Sequence, residues 1–164
     1  MNKLILTFFY IGLIKKAPGT FGSIGAIFFW IFYNQLFSEP NILWPIFLVF
    51  IAIYGSIFIK YYSKNTGNID DKSIVLDEVL GQILALEIVF LFFDLDRKSL
   101  EYTNILIIFL CFLTFRIFDI VKIFPINLID KKMKNGFGVM FDDFIAAIFA
   151  IIISIILIST IFKI

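Results

Sequence analysis

Asp142 and Asp143 stand side by side in Gly138-Val-Met-Phe-Asp-Asp-Phe-Ile-Ala-Ala147, at the head of the uncharged run Phe144–Phe162. A carboxylate pair at the edge of a bilayer is costly unless something binds it. A second adjacent pair opens Asp77-Glu78-Val-Leu-Gly-Gln82. On a helix, neighbours point about 100° apart, so both acids serve one site only if it lies between them. A third cluster spaces Arg116, Asp119 and Lys122 by three residues, which lines their charges along one helix side. A fourth, Lys15-Lys16-Ala-Pro-Gly-Thr20-Phe-Gly-Ser23, reads as a Pro-Gly turn with Thr20 as helix N-cap. Free amides at such a helix start suit a phosphate, with Lys16, Thr20 and Ser23 as candidate further contacts. Each cluster also has a plainer reading: helix-start acids favoured by the dipole, a structural ion-pair stripe, or an ordinary cap with snorkelling lysines. Lys131, Lys132 and Lys134 read as contacts to anionic headgroups.

Small residues suggest how the clusters meet. Gly22 and Ala26, Gly81 and Ala85, and Ala146 and Ala150 are each four apart, just after a polar cluster. Such steps let helix backbones approach closely. They are expected to gather Asp77, Glu78, Asp119, Asp142 and Asp143 around one point. Five carboxylates there require neutralisation. Hard divalent cations take oxygen ligands, and Mg²⁺ commonly combines carboxylates with substrate phosphate. Zn²⁺ fits poorly, because the chain has no histidine and its one cysteine, Cys111, lies in an apolar run. Lys16, Arg116 and Lys122 are left to meet phosphate oxygens. A metal, a phosphate and a site at membrane level together imply phospholipid headgroup chemistry.

The elements that must position these residues are membrane helices. The 164-residue chain is 61% hydrophobic and 16% charged, with a mean hydropathy of +1.01. Soluble domains average about 45–50% apolar and about 25% charged. A net charge of +1 gives no hint of nucleic acid. Phe144–Phe162 and Ile42–Ile59 are uncharged runs of spanning length, and Phe21–Phe37 is uncharged but carries Asn34 and Gln35. Glu39-Pro40-Asn41 reads as a turn between antiparallel spans. Ile83–Phe93, interrupted by Glu87, and Ile105–Phe115 lengthen only by taking in Asp77 and Glu78, or Arg116 and Asp119. Leu4–Ile14 is too short to span, so an interfacial or re-entrant piece is expected. Five spans put eleven lysines and arginines on the face carrying the four clusters and three (Arg97, Lys98, Lys163) on the other. The positive-inside rule assigns the first face to the cytoplasm. The expectation is an all-α polytopic membrane helix bundle, one domain over residues 1–164, with about four to five transmembrane helices and its site at the cytoplasmic interface.

Lys16–Ser23 (KAPGTFGS), Val75–Gln82 (VLDEVLGQ), Phe115–Ile126 (FRIFDIVKIFPI) and Gly136–Ala147 (GFGVMFDDFIAA) together resemble the bacterial phosphatidylglycerophosphatase A family, in order and spacing. The chain departs from the family's usual Lys-Pro at Lys122-Ile123 and keeps Pro125. The resemblance implies a Mg²⁺-dependent lipid phosphatase of the bacterial cytoplasmic (inner) membrane. Such an enzyme hydrolyses phosphatidylglycerophosphate to phosphatidylglycerol and phosphate. Asp77, Glu78, Asp119, Asp142 and Asp143 match the family's acidic positions.

On this reading a subset of the five acids holds Mg²⁺. Glu78, Asp119, Asp142 and Asp143 are the catalytic candidates, one of them as general base or, alternatively, as covalent nucleophile. Lys16, Arg116 or Lys122 stabilises charge on the transferring group. Rival chemistries fit poorly. Asp94-Leu-Asp96-Arg-Lys98 ends in lysine where an aspartyl-phosphate motif needs Thr or Val. Cys111 to Arg116 has four intervening residues where a Cys-Arg phosphatase loop needs five. The competing class is a non-enzymatic ion carrier or channel, which requires carboxylates spread across the bilayer depth, whereas only Glu87 sits well inside a span.

Overall fold

The computed structural model describes residues 2–37, 43–66 and 71–163. Every regular element among them is helical: α1 (Asn2–Leu6), a 3₁₀ turn (Ile11–Leu13), α2 (Pro18–Leu36), α3 (Leu43–Thr66), α4 (Leu76–Phe92), α5 (Tyr102–Val121), α6 (Ile126–Lys132) and α7 (Gly136–Phe162). The Glu39-Pro40-Asn41 turn lies outside the described residues. The chain forms the expected all-α membrane bundle. Residues 43–62 of α3, all of α5 and all of α7 are long and apolar enough to cross a membrane. With 19 and 17 residues, α2 and α4 run about 25–29 Å at 1.5 Å per residue, close to a hydrocarbon core of about 30 Å.

The bundle is organised around α7 and α4, which pack most extensively on each other. α7 also touches α3, α5 and α6, and α4 also touches α2, α3 and α5. α4 therefore buries twelve of its seventeen residues, Gln82 and Glu87 included. That central position keeps polar groups off the lipid, where they would cost several kcal/mol. The outward faces are apolar instead, with Phe28, Phe32, Phe50, Phe109 and Ile152 all exposed.

The small residues sit at the crossings. Ala26, Ala85, Ala146 and Ala150 have no exposed surface. A Cβ on Gly81 would collide with the Phe115 ring and lie 3.1 Å from the Asp143 carbonyl oxygen, so only glycine lets α4, α5 and α7 meet there. A Cβ on Gly22 would lie 2.8 Å from Val75 Cβ, which fixes α2 against the start of α4.

Two boundaries differ from the sequence expectation. α7 starts at Gly136, eight residues before the apolar run, because the Asn135 side chain accepts from Gly138 N at 2.8 Å and caps it. Asp142 and Asp143 are therefore not first-turn acids. The Leu4–Ile14 segment is broken after α1 by three consecutive left-handed residues, Phe8, Phe9 and Tyr10. It folds against the chain leading into α4, with Val75 N donating to Leu6 O at 3.0 Å.

Candidate active site

All four polar clusters reach one end of the bundle and enclose a cavity of about 1080 Å³. α4 contributes Asp77 and Glu78 from its first turn, α5 contributes Arg116 and Asp119 from its last two turns, and α7 contributes Asp142 and Asp143 from its second. Lys122 follows α5 in a left-handed C-cap conformation, φ 45°, which turns the chain back toward α6. Lys72, Lys131 and Lys134 also line the cavity.

Carboxylate oxygens of Asp77, Glu78 and Asp143 lie within 4.8 Å of one another. At that distance two like charges repel by about 3–4 kcal/mol for an effective dielectric near 20. The trio is thus costly by itself, and the Gly81 contact that draws α4 onto α7 enforces it. Glu78 Oε2 and Asp143 Oδ2 are buried without a hydrogen-bond partner in the protein. Native proteins rarely leave such groups unsatisfied. Three acids with two orphaned oxygens suit a hard cation. Mg²⁺ at ligand distances of about 2.0–2.1 Å spans opposite oxygens about 4.2 Å apart, within reach of small side-chain rotations.

The other two acids hold cations. Asp119 pairs with Arg116 Nη1 one turn away, and the same guanidinium nitrogen lies 3.5 Å from Ser23 Oγ. Lys122 Nζ donates to Asp142 Oδ2 and to Asp130 Oδ1, each at 2.7 Å. Burial by itself would lower the Lys122 pKa, but hydrogen bonds and charge from Asp130 and Asp142 hold it above the usual lysine value. The ammonium is therefore permanently charged at the cavity wall.

On α2, Ala17 in a left-handed conformation (φ 50°) precedes Pro18, and no side chain caps the helix. Thr20 is thus not the N-cap. Proline fits the first helical position because its φ is preset and its missing N–H is not needed there. The start of α2 still faces the cavity, through Ala17, Pro18, Gly19 and Thr20. Ser23 is fully buried behind it, touching Arg116, and Lys16 is exposed and outside the lining.

Asp130 escaped the sequence reading. Only its place before Lys131-Lys132 marked it, and that reads as an alternating surface charge. Gln82, one turn beyond Glu78, is fully buried with neither Oε1 nor Nε2 hydrogen-bonded to protein.

Residues 4–158 match the family model described as Phosphatidylglycerophosphatase A. The chain belongs to the phosphatidylglycerophosphatase A family. A phosphatidylglycerophosphatase A of Haemophilus influenzae is 37% identical over 87% of this chain and 79% of its own length. One of Escherichia coli is 30% identical over 84% and 72%. A Bacteroides thetaiotaomicron protein named "Putative phosphatidylinositol-3-phosphatase" is 33% identical over 92% and 89%. No solved structure matches the chain. Membership makes the chain a phosphatase, an enzyme rather than an ion carrier. The phosphatidylglycerophosphatase A match covers every residue that lines the cavity.

Proposed function

We propose that this phosphatase removes the terminal phosphate of phosphatidylglycerophosphate to give phosphatidylglycerol, in a bacterial cytoplasmic membrane with the cavity facing the cytoplasm. The observation that carries the reading is the Asp77–Glu78–Asp143 trio with its orphaned oxygens, set beside two anchored cations at one end of a membrane bundle. Family membership supplies the reaction class, and the excess of lysine and arginine at this end supports the orientation.

Asp77, Glu78 and Asp143 would hold Mg²⁺. Bound there, the ion supplies Lewis-acid polarisation of the phosphoryl oxygens. Arg116, steadied by Asp119 and Ser23, and Lys122, steadied by Asp130 and Asp142, meet the remaining phosphate charge. The first amides of α2, from Gly19 and Thr20, add donors at a helix N-terminus. Asp142 is the proposed general base. It lines the cavity beside the trio, and its contact with Lys122 is through Oδ2.

Phosphate release by purified protein from phosphatidylglycerophosphate, with and without Mg²⁺, tests the reading. Activity that is lost in EDTA and restored by Mg²⁺ is expected. Near wild-type rates for both Asp142→Asn and Asp143→Asn would overturn the site. The Bacteroides relative's name favours one alternative substrate, a 3-phosphorylated inositol lipid. A higher kcat/KM on phosphatidylinositol 3-phosphate would replace the glycerol headgroup by inositol and leave the site intact.

A further inference from the structure

A second cavity, about 540 Å³, runs between α3 and α4 and is closed on one side by Phe144 of α7. Its walls are Trp44, Leu48 and Ala52 from α3 and Leu80, Leu84 and Ile88 from α4. At its far end Glu87 stands 3.3 Å from Arg97 Nε. We propose that this groove holds one acyl chain of the lipid substrate, with the Glu87–Arg97 pair marking its far end. The inference rests on a lipid being the substrate.

Continuity with the phosphatase cavity argues for this occupant. Asp77 lines that cavity, and Leu80, Leu84, Ile88 and Leu91 continue from it at steps of three and four, which is one stripe of α4. The stripe starts at a carboxylate of the trio and becomes an apolar rail. On α7, Asp143 lines one cavity and the next residue, Phe144, lines the other. A molecule with an anionic head and an apolar tail is the ligand whose two parts these neighbouring cavities match.

Length agrees. Along α4, Asp77 among the acids to Glu87 rises about 15 Å. One leaflet's share of a hydrocarbon core of about 30 Å is about 15 Å. A single extended chain, headgroup among the acids, would end near Glu87 and Arg97. Those two are already engaged, with each other and, for Glu87, with Trp30 Nε1. A hydrocarbon terminus gains nothing by going past them. The open edge of the groove, where Ile88 and Leu91 are exposed, gives a chain sideways entry from the bilayer.

The test fills the groove. Leu84→Trp and Ala52→Phe are purified with the wild type and assayed on phosphatidylglycerophosphate carrying either dioleoyl or dihexanoyl chains. The expected result is a fall of about tenfold or more in kcat/KM for the dioleoyl substrate, expressed in KM, with the dihexanoyl substrate changed by less than about twofold. Equal losses on both substrates, or no loss on either, would overturn the proposal. Wild-type protein in vesicles is also irradiated with a lipid bearing a diazirine at the chain end. Labelling of Trp44, buried in the groove wall, supports the groove. Labelling confined to the outer faces of α5 and α7, or cross-linking of groove residues to a second copy, rules it out. If wild type hydrolyses neither substrate, the assigned headgroup is wrong, and the photolabel still reads the groove.

Discussion

At the far end of the bundle Glu87 accepts from Trp30 Nε1 and stands 3.3 Å from Arg97. At the site end Asp77, Glu78 and Asp143 face one another, and two of their oxygens have no partner. Both clusters are built on α4, with Asp77 and Glu87 ten residues apart and both buried. Glu87 meets a cation, Arg97, and an N–H donor, Trp30, so its burial is compensated. In the trio three acids meet while the nearby cations, Arg116 and Lys122, are ion-paired to Asp119 and Asp142, so burial is compensated only in part until a ligand arrives. The comparison separates a polar cluster that holds helices together from one that waits for something to bind. Substitutions should therefore have opposite signatures at the two ends.

Asp143→Asn gives the largest effect on turnover. It removes one member of the trio and should lower phosphate release by more than about 100-fold, since even groups that merely support metal ligands cost 10–100-fold. Because it also removes a like charge, the unfolding midpoint in detergent should stay level or rise. A loss of stability together with activity would mean that the trio is structural. Arg97→Leu should do the reverse. Removing Arg97 from beside Glu87 should cost about 3 kcal/mol in unfolding, while kcat falls less than tenfold. A variant as stable as wild type would remove the contrast.

Gly19→Ala sharpens the same contrast within the site end. Its Cβ would collide with Glu78 Oε1 and lie 3.3 Å from Arg116 Nη1. The end of a flexible side chain gives way easily, so stability should change little, while displacement of a trio carboxylate lowers kcat about tenfold. Gly22→Ala, one turn on, meets Val75 Cβ instead. There the neighbour is the stem of a β-branched side chain, so the cost should be about 1–3 kcal/mol of stability. Measuring kcat and the unfolding midpoint for the pair checks both. Equal behaviour would show that the approach of α2 to α4 serves packing alone.

Much of this was legible in the sequence, for identifiable reasons. Uncharged runs disclosed α3 and α7, since the hydrocarbon core filters by length and charge. The short runs disclosed α4 and α5 only once their acids and Arg116 were admitted to the helices, and both helices extend through those charges. The start of α7 was hidden because Gly136-Phe-Gly138 reads as loop, and a single Asn135 hydrogen bond converts it to helix. The five acids could be named from their clusters, but their division could not. Three of them approach within one ion's reach while Asp119 and Asp142 hold cations, and that depends on how far Gly81 lets α4 approach α7. Asp130 was illegible because its partner Lys122 lies eight residues away across a turn. The α3–α4 groove was equally hidden, since its walls come from separate segments and each reads as ordinary lipid-facing apolar sequence.

Ser23→Ala is the smallest expected effect and the finest probe of the division between the two ends. Ser23 is fully buried on α2 and, among the described residues, its hydroxyl reaches the Arg116 guanidinium at 3.5 Å. A bond that long is weak. Asp119 remains as the main anchor of Arg116. Removing the hydroxyl should cost about 0.5–1.5 kcal/mol of hydrogen bonding at most. If that loss is felt mainly by Arg116 meeting phosphate, kcat/KM should fall two- to fivefold with the unfolding midpoint nearly unchanged. If the hydroxyl instead pins α2 to α5, the midpoint should drop and kcat/KM stay level. A double-mutant cycle with Asp119→Asn decides between them. Two groups that steady one guanidinium should couple in the kinetics. A purely structural serine should add independently.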